Sequence, residues 1–268
     1  YIRALTYKGI VRTRMGITDS TVYEPLKKAD HIFHTYKNPD PATGYILHYF
    51  LGNTHYYNGN FELAEKYFQE TLYNAKLKND SLHIFDTYLA IYWNEMAQSD
   101  FDAGKRYLDT LTNFASMSSE ANYFVLNAKS VFHESMGNYT DALECVKKQL
   151  EVSKKLKENI DISSLYYIVS DRYKNLNYLD SAMLYGQIAI ENIVDEANKG
   201  NYLLYENVAN IAEKQQNYLL ANTYRQKAFD LYEKSVKDRL NTQVMELEKK
   251  YDLSEAENIA LRSQQNTL

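Results

Sequence analysis

A small residue on a helical stretch, set just behind a turn signal, recurs at Ala64, Gly104, Ala142, Ala182 and Ala221, in steps of 38–40 residues. A fixed period of that size is the mark of stacked repeats, in which each hairpin buries its apolar face on its neighbours. The clearest unit is LGNTHYYNGNFELAEKYFQETL, residues 51–72. Gly52 and Ala64 stand where two antiparallel helices approach most closely, so a larger side chain would push the helices apart. Phe68, one turn after Ala64, fills the space toward the next hairpin. The Gly59-Asn60-Phe61 segment lets the chain reverse and cap the following helix. SDFDAGKRYL places Gly104 and Leu108 at the same small and large sites, and GNYTDALECV places Ala142 and Val146 there. LNYLDSAMLYGQIA offers Ala182 and then Ala189, and QNYLLANTYRQKA offers Ala221 and then Ala228.

Composition agrees with helices. Nine glycines and three prolines leave few obligatory breaks in 268 residues, and nearly half of the residues are apolar or aromatic. The twenty-six tyrosines suit helix interfaces that are buried on one side and wet on the other. Upstream, YKGIVRTRMG and an amphipathic segment over 22–36 predict a degenerate first hairpin with a longer loop, ITDST. Asn38-Pro39-Asp40-Pro41 ends its second helix, because proline disfavours helix in the residue before it. Residues 1–235 are thus expected to form five to six hairpins, and 236–268 a separate C-terminal helix. In that last segment Leu240, Val244, Leu247, Tyr251 and later Leu261 fall on a spacing of four and three, a coiled-coil-like seam that lapses at Ser254 and Asn258. Two readings stand: a helix that caps the last hairpin, and a coiled-coil extension.

Several function classes drop out. The net charge of −5, with acids and bases interspersed, offers no basic block for nucleic acid. No stretch reaches the roughly 18 apolar residues of a membrane span, and no signal peptide is present. The chain begins at Tyr1 and stops in mid-helix at Leu268, and is therefore expected to be a segment of a longer protein. There is no phosphate loop, CxxC, HExxH or GxSxG. Of the six histidines, His31 and His34 share a helix face but lack an adjacent carboxylate or cysteine set, so no metal site is assigned. His55 stands where an aromatic would pack, and Cys145 beside Val146 reads as a small buried apolar residue. No carboxylate pair suits acid–base work, so the expectation is no enzyme and no cofactor.

The units resemble tetratricopeptide repeats, most closely at 51–72, although the step exceeds that family's 34 residues. The resemblance implies an all-α solenoid, a right-handed superhelix of antiparallel hairpins with a long C-terminal helix, whose first helices line a concave groove for a protein or peptide ligand. Carried over by register, the groove positions are Tyr49, Asn53, Tyr56, Leu89, Trp93, Met96, Asn127, Glu134, Tyr167, Asp171, Lys174, Glu206 and Asn210. The groove so defined is aromatic toward the N-terminus and acidic toward the C-terminus. Asn53 matches one chaperone-tail position of the family, but Tyr49 and Leu89 replace the lysines that would hold a carboxylate, which counts against that ligand.

The tyrosine-rich repeats, the step near 40 and the charged terminal helix also resemble the extracytoplasmic sensor regions of Bacteroidetes membrane-anchored regulators and sensor kinases. That resemblance implies a periplasmic location, with a membrane span beyond Leu268. Asp-Ser/Thr-X triplets at Asp19, Asp80, Asp109 and Asp180 fit the group's O-glycosylation pattern, but fit helix caps and turns better. The alternative is a soluble, cytoplasmic scaffold that assembles partner proteins; a homodimer through the C-terminal helix is expected of this alternative, in which that helix is a dimerisation arm.

Overall fold

The structure, a computed structural model, describes residues 1–14, 20–156, 160–194 and 200–265. Among these residues it contains twelve α-helices and no strand. They fall into two compact units, Tyr1–Glu158 and Asn159–Leu268. The first holds α1 (Ile2–Arg14), α2 (Ser20–Thr35), α3 (Pro41–Tyr57), α4 (Phe61–Leu77), α5 (Ser81–Ala97), α6 (Phe101–Thr112), α7 (Ser119–Ser135) and α8 (Tyr139–Ser153). The second holds α9 (Ile162–Asn175), α10 (Leu179–Glu191), α11 (Tyr202–Lys214) and α12 (Tyr218–Gln265). Successive pairs pack as antiparallel hairpins, and within each unit each hairpin stacks on the next. The ITDST loop and the Asp19 triplet lie mostly outside the described residues.

The chain marks these boundaries with local chemistry. Asp40, Asp80, Asp100, Ser118 and Asp161 cap α3, α5, α6, α7 and α9, each accepting a hydrogen bond from a first-turn amide. Asp80 of the second triplet is therefore a helix cap. Each hairpin turn from α3–α4 onward shares one left-handed residue: Gly59, Ser99, Gly137, Asn177 or Gln216. The amide after it reaches back to a carbonyl five residues earlier, as Asn60 does to His55 at 2.9 Å and Asn217 to Ala212 at 2.9 Å.

The repeating small residues are all buried, Ala64, Ala142 and Ala182 completely. Twelve positions before each lies its counterpart on the first helix: Gly52, Tyr92, Ser130, Ser170 and Ala209. Ser130 and Ser170 donate hydrogen bonds to the carbonyls of Ala142 and Ala182, at 3.1 and 2.7 Å. Four of these five residues are small. The exception, Tyr92, stands across from Gly104, the one glycine in the opposing series, where a Cβ would meet the Met96 sulfur at 2.7 Å and the Tyr92 ring at 4.0 Å. Its hydroxyl donates to the Ala128 carbonyl at 2.7 Å, which ties α5 to α7.

Residue 236, where a separate terminal segment was expected to begin, lies inside α12, a single helix of 48 residues. Ala221 and Ala228 of α12 are buried, whereas Leu240, Val244, Leu247 and Tyr251 are exposed. No described helix is long and apolar enough to cross a membrane.

Candidate functional site

In the first unit α3 and α5, the first helices of two consecutive hairpins, lie side by side. A helix repeats its face at intervals of three and four, so Tyr49, Asn53 and Tyr56 form one stripe on α3, and Asp86, Leu89 and Trp93 a facing stripe on α5. Together they line a cleft of about 320 Å³. Phe68 and Ala90, both buried, contribute to its lining, as does Tyr57, which is 79% exposed. Gly52 explains why the stripe can sit so low on its neighbour: a Cβ there would stand 2.5 Å from the Phe68 ring.

The walls are fixed by their contacts. Tyr49 packs edge-on to Phe50 at 5.9 Å and tilts over Phe68 at 6.3 Å. Burial pushes its phenol pKa up, while a hydrogen bond from Asn53 opposes that rise. Burial does the same to Tyr56, which meets Tyr57 at 5.3 Å. Trp93 stands T-shaped on the buried Tyr92 ring at 4.8 Å, so its base is anchored in the core while it lines the cleft. Asp86 is the charged group here. Burial raises its carboxyl pKa above the ordinary aspartate value; His83 pulls it down, and Asp80 adds to the rise. A half-desolvated carboxylate among aromatic faces is a receptor for a cation.

Five of the residues carried over by register thus converge: Tyr49, Asn53, Tyr56, Leu89 and Trp93. Met96 does not line this cleft; its sulfur packs where a Cβ of Gly104 would be. Asn127 and Glu134 are half-buried on α7, also outside the cleft. In the second unit Tyr167 is half-buried on α9 and Asn210 on α11. Asp171 and Lys174 hold each other at 2.6 Å, Arg172 bonds the other Asp171 oxygen at 2.8 Å, and Lys174 also donates to the buried Asn207 at 2.7 Å. The acidic character expected there is therefore offset by cations, while the aromatic N-terminal stretch contains an acid. Exposed Glu206 lines a smaller cleft of about 300 Å³ with Tyr202, Arg225, Ala228, Phe229 and Tyr232.

Asp86, Tyr57 and Ala90 joined the cleft without having been singled out in the sequence, and Phe68 had been singled out only for packing. The signal for Asp86 was present, since it precedes Leu89 and Trp93 by three and seven residues on the same helical face. A second constellation lies elsewhere in this unit: Asp30, His34, His48 and Glu70 bring one ligand atom each within 4.8 Å of one another. The pair considered from sequence, His31 and His34, does not form. His31 is exposed, and Asp30, the carboxylate thought to be lacking, stands one turn before His34.

No family model matches this sequence, and no curated protein matches it. Solved structures do. One is a signal-transduction ATPase with a tetratricopeptide repeat sensor from Pyrococcus horikoshii, at a TM-score of 0.66 and 17% identity, covering 91% of this chain and 39% of that one. Another is the apo form of the quorum sensor NprR from B. thuringiensis, also at 0.66 and 17%, covering 84% and 64%. NprR in complex with its cognate peptide NprX matches at 0.60 and 17%, covering 90% and 72%. The chain thus spans less than two-thirds of the first two proteins. At these identities the likeness establishes the fold, and this chain is an all-α array of tetratricopeptide-like hairpins.

Proposed function

We propose that this chain is a non-catalytic protein- or peptide-binding domain whose first unit seats a basic or aromatic side chain of its partner in the α3–α5 cleft. The observation that carries this reading is the convergence of Tyr49, Tyr56, Leu89 and Trp93 around Asp86. A cleft of about 320 Å³ is at the low end of ligand-site sizes and fits one or two side chains of a longer segment. Partly buried aromatics with fixed rotamers lose little entropy on binding and make good anchors. Asp86 would repel a carboxylate terminus, which agrees with the absence of lysines at the carboxylate-gripping positions. Similar architectures include a quorum sensor seen with its cognate peptide.

The test is a display library of short peptides panned against the purified chain, followed by fluorescence polarisation. Binders enriched in Arg, Lys or Trp that lose at least tenfold in affinity with Trp93→Ala plus Tyr49→Ala, at unchanged helicity by circular dichroism, support the reading. A double variant that unfolds makes those rings core residues and removes the proposal.

The wider role proposed is the extracytoplasmic sensor of a membrane-anchored regulator, with α12 carrying a change in the second unit onward and pairing with a second copy through its exposed seam. The competing role is a cytoplasmic scaffold. Reading the coding frame on both sides of residues 1–268 separates them. An apolar run of about 20 residues soon after residue 268 supports the sensor. A stop codon there with no export signal upstream leaves the scaffold.

A further inference from the structure

We infer that Asp30, His34, His48 and Glu70 form a binding site for one divalent transition-metal ion, zinc foremost, which clamps the first helical hairpin to the second. The four ligand atoms make a closed ring. The His48 Nε2 lies 3.3 Å from Asp30 Oδ1 and 3.3 Å from Glu70 Oε2. The His34 Nε2 lies 3.3 Å from the same Asp30 oxygen and 3.5 Å from the same Glu70 oxygen. Zinc bonds to nitrogen and oxygen of about 2.0–2.1 Å in a tetrahedron require ligand atoms about 3.3–3.4 Å apart. Four of the six separations therefore stand at or close to the coordinating value, and the other two are within 4.8 Å.

The unsatisfied valences point the same way. His48 is 1% exposed, yet neither of its ring nitrogens has a hydrogen-bond partner. Asp30 Oδ1 and Glu70 Oε2 are likewise buried without one. Buried polar atoms are ordinarily paired, and three of these, His48 Nε2, Asp30 Oδ1 and Glu70 Oε2, converge on one point and share one missing partner. Two carboxylates and two neutral imidazoles carry a charge of −2, which a dication would neutralise. Two nitrogens and two oxygens suit zinc better than calcium or magnesium, which take oxygen ligands.

The surroundings orient the ligands. The second Asp30 oxygen accepts a hydrogen bond from the Tyr67 hydroxyl at 3.1 Å, and that hydroxyl accepts one from Lys27 at 2.9 Å. Such outer partners fix a ligating carboxylate and tune it. The Phe33 ring stands edge-on to both imidazoles, at 5.1 Å from His48 and 5.7 Å from His34. Entry is open, because His34, His48 and Glu70 line a cavity of about 780 Å³. Two ligands come from α2, one from α3 and one from α4, so four protein ligands closing around the ion would make a structural clamp rather than a catalytic centre.

The test is titration of the chelator-treated chain with zinc chloride, read by isothermal calorimetry, and with cobalt chloride, read by visible absorption. The expected result is about one ion per chain, cobalt bands of tetrahedral intensity, and a higher melting temperature with zinc. His34→Ala, at a half-exposed position whose loss leaves the core intact, and Glu70→Gln should each weaken zinc at least tenfold. Tyr67→Phe, which removes the outer hydrogen bond, should weaken it about tenfold or more. His31→Ala, on the exposed face of the same helix, should change nothing. Failure of the native chain to bind zinc would overturn the inference and leave an ion-paired His48. Equal binding by the native chain and His34→Ala would also overturn it, by placing the ion elsewhere.

Discussion

At the scale of single residues, the tightest constraint in the chain is volume at the helix crossings. Gly52→Ala would ordinarily favour a helix by about 1 kcal/mol. Here the new methyl would meet the Phe68 ring at 2.5 Å, and that ring is 1% exposed. Overpacking costs about 1–3 kcal/mol, so the expected outcome is a net loss of up to about 2 kcal/mol, measured as a lower urea midpoint at unchanged slope. Much of this was legible in advance, because glycine and alanine at a fixed step leave one explanation, close approach. Tyr92 was not legible. It breaks the small-residue pattern, and only the structure shows its ring fully buried with the hydroxyl on the Ala128 carbonyl. The Asp30–Glu70 cluster escaped for a related reason. Its ligands lie up to 40 residues apart on three helices, and a reading that treats each hairpin alone never brings them together.

At the scale of elements, turns and the terminal helix behave differently. The hairpin turns need a left-handed residue, which glycine fills without strain at Gly59 and Gly137. Ser99 adopts the same conformation at φ 60° and bears the Cβ penalty. Ser99→Gly is therefore expected to stabilise the first unit by about 0.5–1 kcal/mol, the strain relieved exceeding the entropy added to the unfolded chain. A lower melting temperature in calorimetry would contradict this. The terminal helix was anticipated, with the hairpin array drawn to end at 235; the helix itself begins at Tyr218 and runs through that point, because no glycine or proline marks where packing on α11 ends. At 1.5 Å per residue α12 is roughly 72 Å long. Beyond Ala228 its apolar residues at 240, 244, 247 and 251 are all more than half exposed. Such a seam is stable in water when a like seam covers it. Leu240→Lys with Leu247→Lys should convert a dimer to a monomer in sedimentation equilibrium at tens of micromolar. A native chain already monomeric under those conditions would remove the pairing and leave α12 as a cap.

At the scale of the whole molecule, the two units present different surfaces for binding. The second unit spends Asp171 and Lys174 on each other and on Arg172 and Asn207, so their charges are already satisfied. The first unit keeps Asp86 in an aromatic cleft, where desolvation makes its ionised form costly until a cation arrives. That difference sets the pH behaviour of the proposed partner complex. Below its raised pKa Asp86 is protonated and offers a basic peptide only a neutral hydroxyl; above it, the carboxylate attracts the cation. Affinity for an arginine-bearing peptide should therefore climb as pH rises and level off only once Asp86 is ionised in the free chain, above the ordinary aspartate value of 3.8. Asp86→Asn should flatten the profile at the low-pH affinity, whereas Asp171→Asn in the second unit should leave it unchanged. Fluorescence polarisation with one labelled peptide across pH 4–7 reads all three chains. A profile that persists in Asp86→Asn would assign the titration to another group, and the cation-binding role of the cleft would fall with it.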